Sequence, residues 1–162
     1  MKTLTFIATL TLLGSSTAYP QQGITLTDLN ALRVVVKPIP SNIKGQGFFE
    51  ADFQSEIELR CRQAGMKIVD SSDAQLVLII TVQDADVLEG YQNQKWSLFY
   101  VGLGLTDVVQ LNRPMSQWVT DITIWEDGYY GIFSENKTDR IRQQVHSLTT
   151  KFLNDWMKYN NK

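Results

Sequence analysis

The chain has 162 residues, 43% of them hydrophobic and 10% aromatic, with 15 basic and 17 acidic side chains for a formal net charge of −2. That length suits one domain around one core, and a mild acidity without blocks of like charge excludes the basic footprint of a nucleic-acid binder. A single cysteine, Cys61, excludes an internal disulfide, so packing alone must hold the fold.

Residues 1–18 carry the pattern of an export signal. Lys2 supplies a positive start, Leu4 to Leu13 is predominantly apolar, and Ser16-Thr17-Ala18 offers the small-x-small site of a signal peptidase. The apolar run is about half the roughly 20 residues that span a bilayer, and no cysteine follows it as a lipid-bearing first residue. The expectation is a released chain without a stable membrane anchor. Its low cysteine content points to a bacterial envelope, periplasmic or secreted, where the sequon Asn136-Lys137-Thr138 has no meaning.

Residues 19–28 are polar and aperiodic and are expected as a flexible tail; residues 29–162 are expected as a single α+β domain. Leu32 to Ile39 is β-branched and ends in Pro38 and Pro40, which suits a first strand. Ser41 to Gly47 suits a loop. Phe49, Phe53, Ile57, Cys61 and Ala64 recur every three or four residues and predict a helix over 50–64, stopped by Gly65. Glu50 and Asp52 fall in its first turn and Arg60 and Arg62 in its last, as the helix dipole favours.

Met66 to Val69 predicts a short second strand, and the Asp70 to Asp73 cluster a turn. Leu76 to Val82 predicts a third strand that can run on through Asp84 and Asp86, and Trp96 to Leu111 a long fourth. Within the fourth, Gly102-Leu-Gly104 marks a bulge, a bend or a close contact. Trp118 to Trp125 alternates as a fifth strand, followed by a tight turn at Glu126-Asp127-Gly128 and a short extension over 129–133. Ile141, Val145, Leu148, Phe152, Trp156 and Tyr159 keep helical spacing over the last segment, with Thr138 or Asp139 as N-cap.

The predicted order is β-α-β-β-β-β-α, and each helix has one apolar stripe to bury. A two-layer sandwich satisfies both, with two helices on one face of a mainly antiparallel sheet of four to five strands.

Several short stretches carry a resemblance. Leu59-Arg-Cys-Arg-Gln-Ala-Gly65 closing the first helix, Val109-Gln-Leu-Asn-Arg113, Ile124-Trp-Glu-Asp-Gly128 with Gly131, and Phe152-Leu-Asn-Asp-Trp156 stand in the order found in small bacterial exported proteins of unknown function. At the level of fold the chain resembles small α/β envelope modules such as the N-terminal domain of the Tol-system propeller protein and the lipopolysaccharide-assembly lipoprotein. The resemblance implies an accessory role in contact with an envelope protein partner.

No catalytic set stands out. Nucleophilic catalysis needs a nucleophile, a base and an orienting group; the single histidine, His146, lies off the centre of its helical stripe, and Cys61 belongs to a buried one. No metal is implied, since one His and one Cys cannot build a zinc site, and Asp84, Asp86 and Glu89 lack calcium-loop spacing. Gly102-Leu-Gly104 sits inside a strand rather than before a helix, so it is no phosphate loop, and no cofactor is implied.

The remaining candidates are aromatic. Trp96, Tyr100, Trp118, Trp125, Tyr129 and Tyr130 crowd the last strands with Phe99, either as core or as an exposed contact face. The expected function is that of a non-enzymatic exported accessory protein binding through this face or an edge strand. The alternative is a lipid or glycan carrier with a pocket lined by Trp96, Trp118 and Trp125.

Overall fold

The computed structural model describes residues 26–44, 48–85, 96–111, 117–133 and 137–160. Strand β1 (Ala31–Val36) turns Leu32 and Val34 into the core and is parallel to both of its neighbours, β2 (Lys67–Ile68) and β3 (Gln75–Ala85). β4 (Trp96–Leu111) and β5 (Gln117–Phe133) extend the sheet antiparallel, giving the order β2-β1-β3-β4-β5. The two longest ladders are antiparallel, and the parallel pairs are confined to β1. This is an α+β fold with a mixed five-stranded sheet.

A single turn, α1 (Ser41–Lys44), occupies part of the segment expected as loop. Ile43 and Lys44 donate their N–H groups to the Pro40 carbonyl at 3.1 and 3.3 Å, and the turn drives Ile43 into the core. Four residues are too few to show a period.

Helix α2 (Glu50–Gln63) buries Phe53, Ile57 and Cys61 as its spacing predicts, but Phe49 points away from the core and is 59% exposed. Phe49 is the N-cap residue, in extended conformation, and the buried aromatic is Phe48 before it. Phe48 stacks on Phe53 with ring centroids 5.6 Å apart, the hydrophobic staple between the residue before the cap and the fourth helical residue. At the other end Gly65 takes φ +90° and donates to the Arg62 carbonyl, while Met66 donates to that of Cys61. That pair of bonds is a Schellman cap, sealed by the buried Met66 and Cys61 side chains.

β5 runs unbroken through Glu126-Asp127-Gly128, where the sequence predicts a turn. These residues pair with Gly104, Leu103 and Gly102 of β4, whose 16 residues supply partners along the whole length. The irregularity lies earlier. Between the pairs Leu105↔Trp125 and Thr106↔Thr123 one extra residue of β5, Ile124, is inserted, and a second shift follows beside Asp121 at φ 58°. The bulge lets the consecutive residues Ile124 and Trp125 both pack toward the helices, which strict alternation forbids.

Helix α3 (Lys137–Asn160) contains Thr138 and Asp139 within its first turn, so neither is its cap. It buries Ile141, Val145, Leu148, Phe152 and Trp156, whereas Tyr159 falls off the stripe and is exposed. α2 and α3 touch each other and share one core with the inward residues of the sheet, Leu76, Leu78 and Ile80 of β3 and Val101, Leu103 and Leu105 of β4. Both long helices therefore cover one face of the sheet. Leu26 also joins this core, ahead of Leu29, the expected start of the domain.

Candidate functional site

The face of the sheet opposite the helices carries no covering element among the described residues. Period-two alternation places Val77, Ile79 and Thr81 of β3, Leu98, Tyr100, Gly102 and Gly104 of β4, and Glu126, Gly128, Tyr130 and Ile132 of β5 on it. Tyr100 and Tyr130 are directly opposite in register, and their rings lie 4.5 Å apart, tilted by 34°. Tyr130 is 78% exposed, and Leu98 and Ile132 near it and Ile79 across the sheet on β3 are also exposed apolar side chains.

The ring of Tyr100 lies across two glycines. A Cβ on Gly102 would stand 2.7 Å from Tyr100 Cζ, and one on Gly128 would stand 2.6 Å from Tyr100 Cε2. Of the bulge, bend or close contact expected at Gly102-Leu-Gly104, the structure shows a close contact, that of Gly102 with this ring. Phe99, on the other face, covers Gly131 in the same way. Glycine in a strand is weak because it has nothing to pack, and a cross-strand aromatic laid over it restores the missing contact.

Two hollows result. One, of about 530 Å³, is walled by Leu98, Tyr100, Tyr130 and Ile132 with Thr81 and Gln83 at its rim. The other, of about 280 Å³, has Gly102 and Gly104 in its floor and Lys37, Gln75, Thr106, Thr123 and Glu126 around it. The first is strongly apolar, whereas the second mixes Val77 and Ile79 with polar and charged side chains. Partial burial raises the Tyr100 phenol above its ordinary pKa of 10.0, with Tyr130, Glu126 and Asp127 adding to the effect, so the hydroxyl between the hollows keeps its proton and can donate.

The six predicted aromatics divide between the two faces. Tyr100 and Tyr130 form the open surface. Tyr129, the next residue along β5, points the other way and packs on Phe99 at 5.9 Å. Trp125 is turned toward α3: its Nε1 donates to Asp155 at 3.0 Å, and its ring meets the edge of Phe152 at 5.2 Å. Trp96 and Trp118 stand on β4 and β5, opposite Ala85 and Gln110, and their side chains lie outside the described residues. The structure therefore does not gather Trp125 into an open-face cleft.

Leu98, Ile132 and Ile79 were not among the predicted site residues. In Leu76 to Val82 every residue but Thr81 is apolar, so hydrophobicity alone does not tell its buried face from its open one. At the far side of the molecule Cys61 is buried, and the loss of hydration, reinforced by the Glu58 carboxylate, pushes its thiol up to about 12. An activated nucleophile needs the opposite shift. His146 is exposed on α3, beside Glu56 and Arg142.

Among the described residues no three His, Cys, Asp or Glu side chains converge as a metal site, and no helix is long and apolar enough to cross a membrane. The side chain of Asp84, and Asp86 and Glu89 entirely, lie outside the described residues.

No family model and no curated protein matches the chain. Among solved structures it is similar to rare lipoprotein B of Shewanella oneidensis, at 13% identity and a TM-score of 0.36 over 80% of this chain and 92% of that one. It is similar to a minor lipoprotein of Acinetobacter baumannii at 12% identity and a TM-score of 0.34, over 82% of this chain and 87% of that one. A PDZ domain protein of Parabacteroides distasonis gives 9% identity and a TM-score of 0.42 over 80% of this chain, which spans only 32% of that protein. These are likenesses of outline, and function has to be read from the side chains.

Proposed function

We propose that the protein is an exported, non-enzymatic accessory component of the bacterial envelope, and that its open sheet face docks an envelope protein. The observation that carries this reading is the uncovered patch of Leu98, Tyr100, Tyr130 and Ile132 on a sheet whose other face carries the core and both long helices. Rigid tyrosines held by strands bury large area at little conformational cost, which is why they recur where binding energy concentrates. The export signal in residues 1–18 supports the location.

A photo-crosslinking residue at Leu98, introduced into the full chain in its native envelope, tests the reading. One protein of reproducible mass is expected from Leu98 and none from Tyr159, which is exposed on α3. Identical patterns from both positions, or no adduct from Leu98, would refute it.

The apolar hollow of about 530 Å³ favours a second reading, a lipid or glycan bound between Leu98, Tyr100, Tyr130 and Ile132. Amide shifts in a titration with phospholipid or oligosaccharide then fall on 98–102 and 128–132. Unmoved amides in both segments dispose of that reading.

A further inference from the structure

We propose that the end of β5 pairs antiparallel with the same segment of a second copy, about a two-fold axis at Tyr130, joining two five-stranded sheets into one. β5 is the outer strand of the sheet among the described residues. Its stretch Gly128 to Ile132 contains no charge, no proline and no register shift, and Tyr129, Tyr130 and Ile132 are exposed. Sheet proteins blunt free edges with charges and bulges. Here those devices, Glu126, Asp127 and the irregularity at Asp121, all lie earlier in the strand.

The length of the opposite edge decides between a closed pair and a fibre. β2 has only two residues, so adding β5 of one copy to β2 of another makes almost no ladder. Pairing β5 with β5 is isologous and closes on itself.

Size and charge select the register. An axis perpendicular to the sheet keeps both open faces on one side and pairs residues of the same parity. Centred on Tyr130, it sets Gly128 against Ile132 and Tyr129 against Gly131, so that each large side chain beside the axis meets a glycine and Tyr130 meets its own copy. Gly128 already lies under its own Tyr100 ring and Gly131 under its own Phe99 ring. The incoming Ile132 then abuts Tyr100, the incoming Tyr129 abuts Phe99, and the Tyr100–Tyr130 stack becomes a run of four rings.

Other centres fit worse. Glu126 or Asp127 on the axis opposes like carboxylates, Gly128 or Gly131 opposes glycine to glycine, and Tyr129 brings Glu126 against Ile132. The pairing goes beyond the docking of an envelope protein and would double the platform available to it.

Directly opposed residues of an antiparallel pair have Cα atoms about 4.5–5.5 Å apart, inside the roughly 4.4–6.8 Å that a disulfide spans. Under mild oxidation the purified Tyr130→Cys protein is therefore expected to become a disulfide-linked dimer. Tyr129→Cys and Tyr159→Cys should link at least about tenfold more slowly, and the native Cys61 is buried and does not compete. By sedimentation, the unsubstituted protein at about 1 mM is expected at twice the mass of one chain, and Tyr130→Lys at one chain with unchanged circular dichroism.

Equal linking rates at all three positions, or an unsubstituted protein of single-chain mass at that concentration, would overturn the pairing. If the Leu98 adduct to an envelope protein persists while the dimer is absent, this inference falls and the docking reading stands.

Discussion

The ring of Tyr100 lies flat across Gly128 of the neighbouring strand, with Cε2 2.6 Å from the place a Cβ on Gly128 would take. Gly102 and Gly128 face each other in register, and together they open a slot the width of a phenol that Tyr100 fills from above, with Tyr130 closing its far side. A glycine pair that would weaken two strands becomes the seat of the exposed aromatic surface.

Gly128→Ala should therefore dislodge the ring. Because Tyr100 is a side chain on an open face, it can swing away, and the expected cost is the Tyr100–Tyr130 contact, about 0.5–1.5 kcal/mol in urea unfolding. In a Tyr100→Ala background the same change should stabilise by about 0.5–1 kcal/mol, as glycine removal does in an unstrained strand. Gly104→Ala meets only ordinary contacts, at 3.7 and 3.8 Å, and should stabilise by about 0.4–1 kcal/mol without any second change. An equal cost for Gly128→Ala in both backgrounds would mean that the glycine does not serve the ring.

What was legible in the chain follows from where its patterns have long periods. The stripe Phe53, Ile57, Cys61 and the Gly65 stop place α2, and the bounds of β4 coincide with the predicted Trp96 to Leu111. The parallel pairs of β1 were hidden because strand direction leaves no mark in composition. Glu126-Asp127-Gly128 has the composition of a turn, yet β4 is long enough to pair it, and Asp127 is held further by Lys151 of α3 at 2.7 Å. Of the six aromatics, the opposed faces of Tyr129 and Tyr130 follow from adjacency, but the turn of Trp125 toward Asp155 depends on the Ile124 bulge. A two-residue period cannot be carried across an inserted residue.

Cys61 should be chemically silent in the folded protein. With its thiol held near 12 by burial and by Glu58, thiolate is about one part in ten thousand at pH 8. A disulfide reagent should label it only as fast as the chain unfolds, with the rate rising with urea along the unfolding curve. Rapid labelling without denaturant would show that the α2 stripe opens while the rest stays folded.

Acid should loosen the joint between β1 and α2. The Glu50 carboxylate accepts from Lys44 Nζ at 2.6 Å and from the Ile39 N–H at 3.0 Å, and these hydrogen bonds lower its pKa from 4.5 to about 2. A carboxylate depressed in the folded state stabilises fully above its unfolded value and loses that contribution as the pH falls through its folded one. The stabilising effect should thus be intact above pH 4.5 and fade between 4.5 and about 2. Glu50→Gln, which keeps an acceptor but no charge, should be less stable than the original at neutral pH and converge with it toward pH 2. Parallel stability curves over that window would remove Glu50 from the account.

The two indole donors among the described side chains, Trp125 and Trp156, should differ in what they are worth. Trp156 is fully buried and its Nε1 donates at 2.7 Å to the carbonyl of Leu29, one turn before Asn160, whose Nδ2 donates to Leu26 and whose Oδ1 accepts from the Asp28 N–H. The end of α3 thus clasps residues 26–29 against the sheet. Trp156→Phe strands a buried carbonyl and leaves a void, for about 1–3 kcal/mol from the lost bond alone, whereas Trp125→Phe frees a half-buried Asp155 that water can reach and should cost about 1 kcal/mol or less. Asn160→Ala acts at a partly exposed site, so its effect should be local: hydrogen exchange speeds up over residues 26–30 while the global unfolding midpoint moves little. Equal losses from the two Trp→Phe changes would contradict burial as the deciding factor, and an unchanged exchange rate at Leu29 in Asn160→Ala would mean that Trp156 holds the clasp alone.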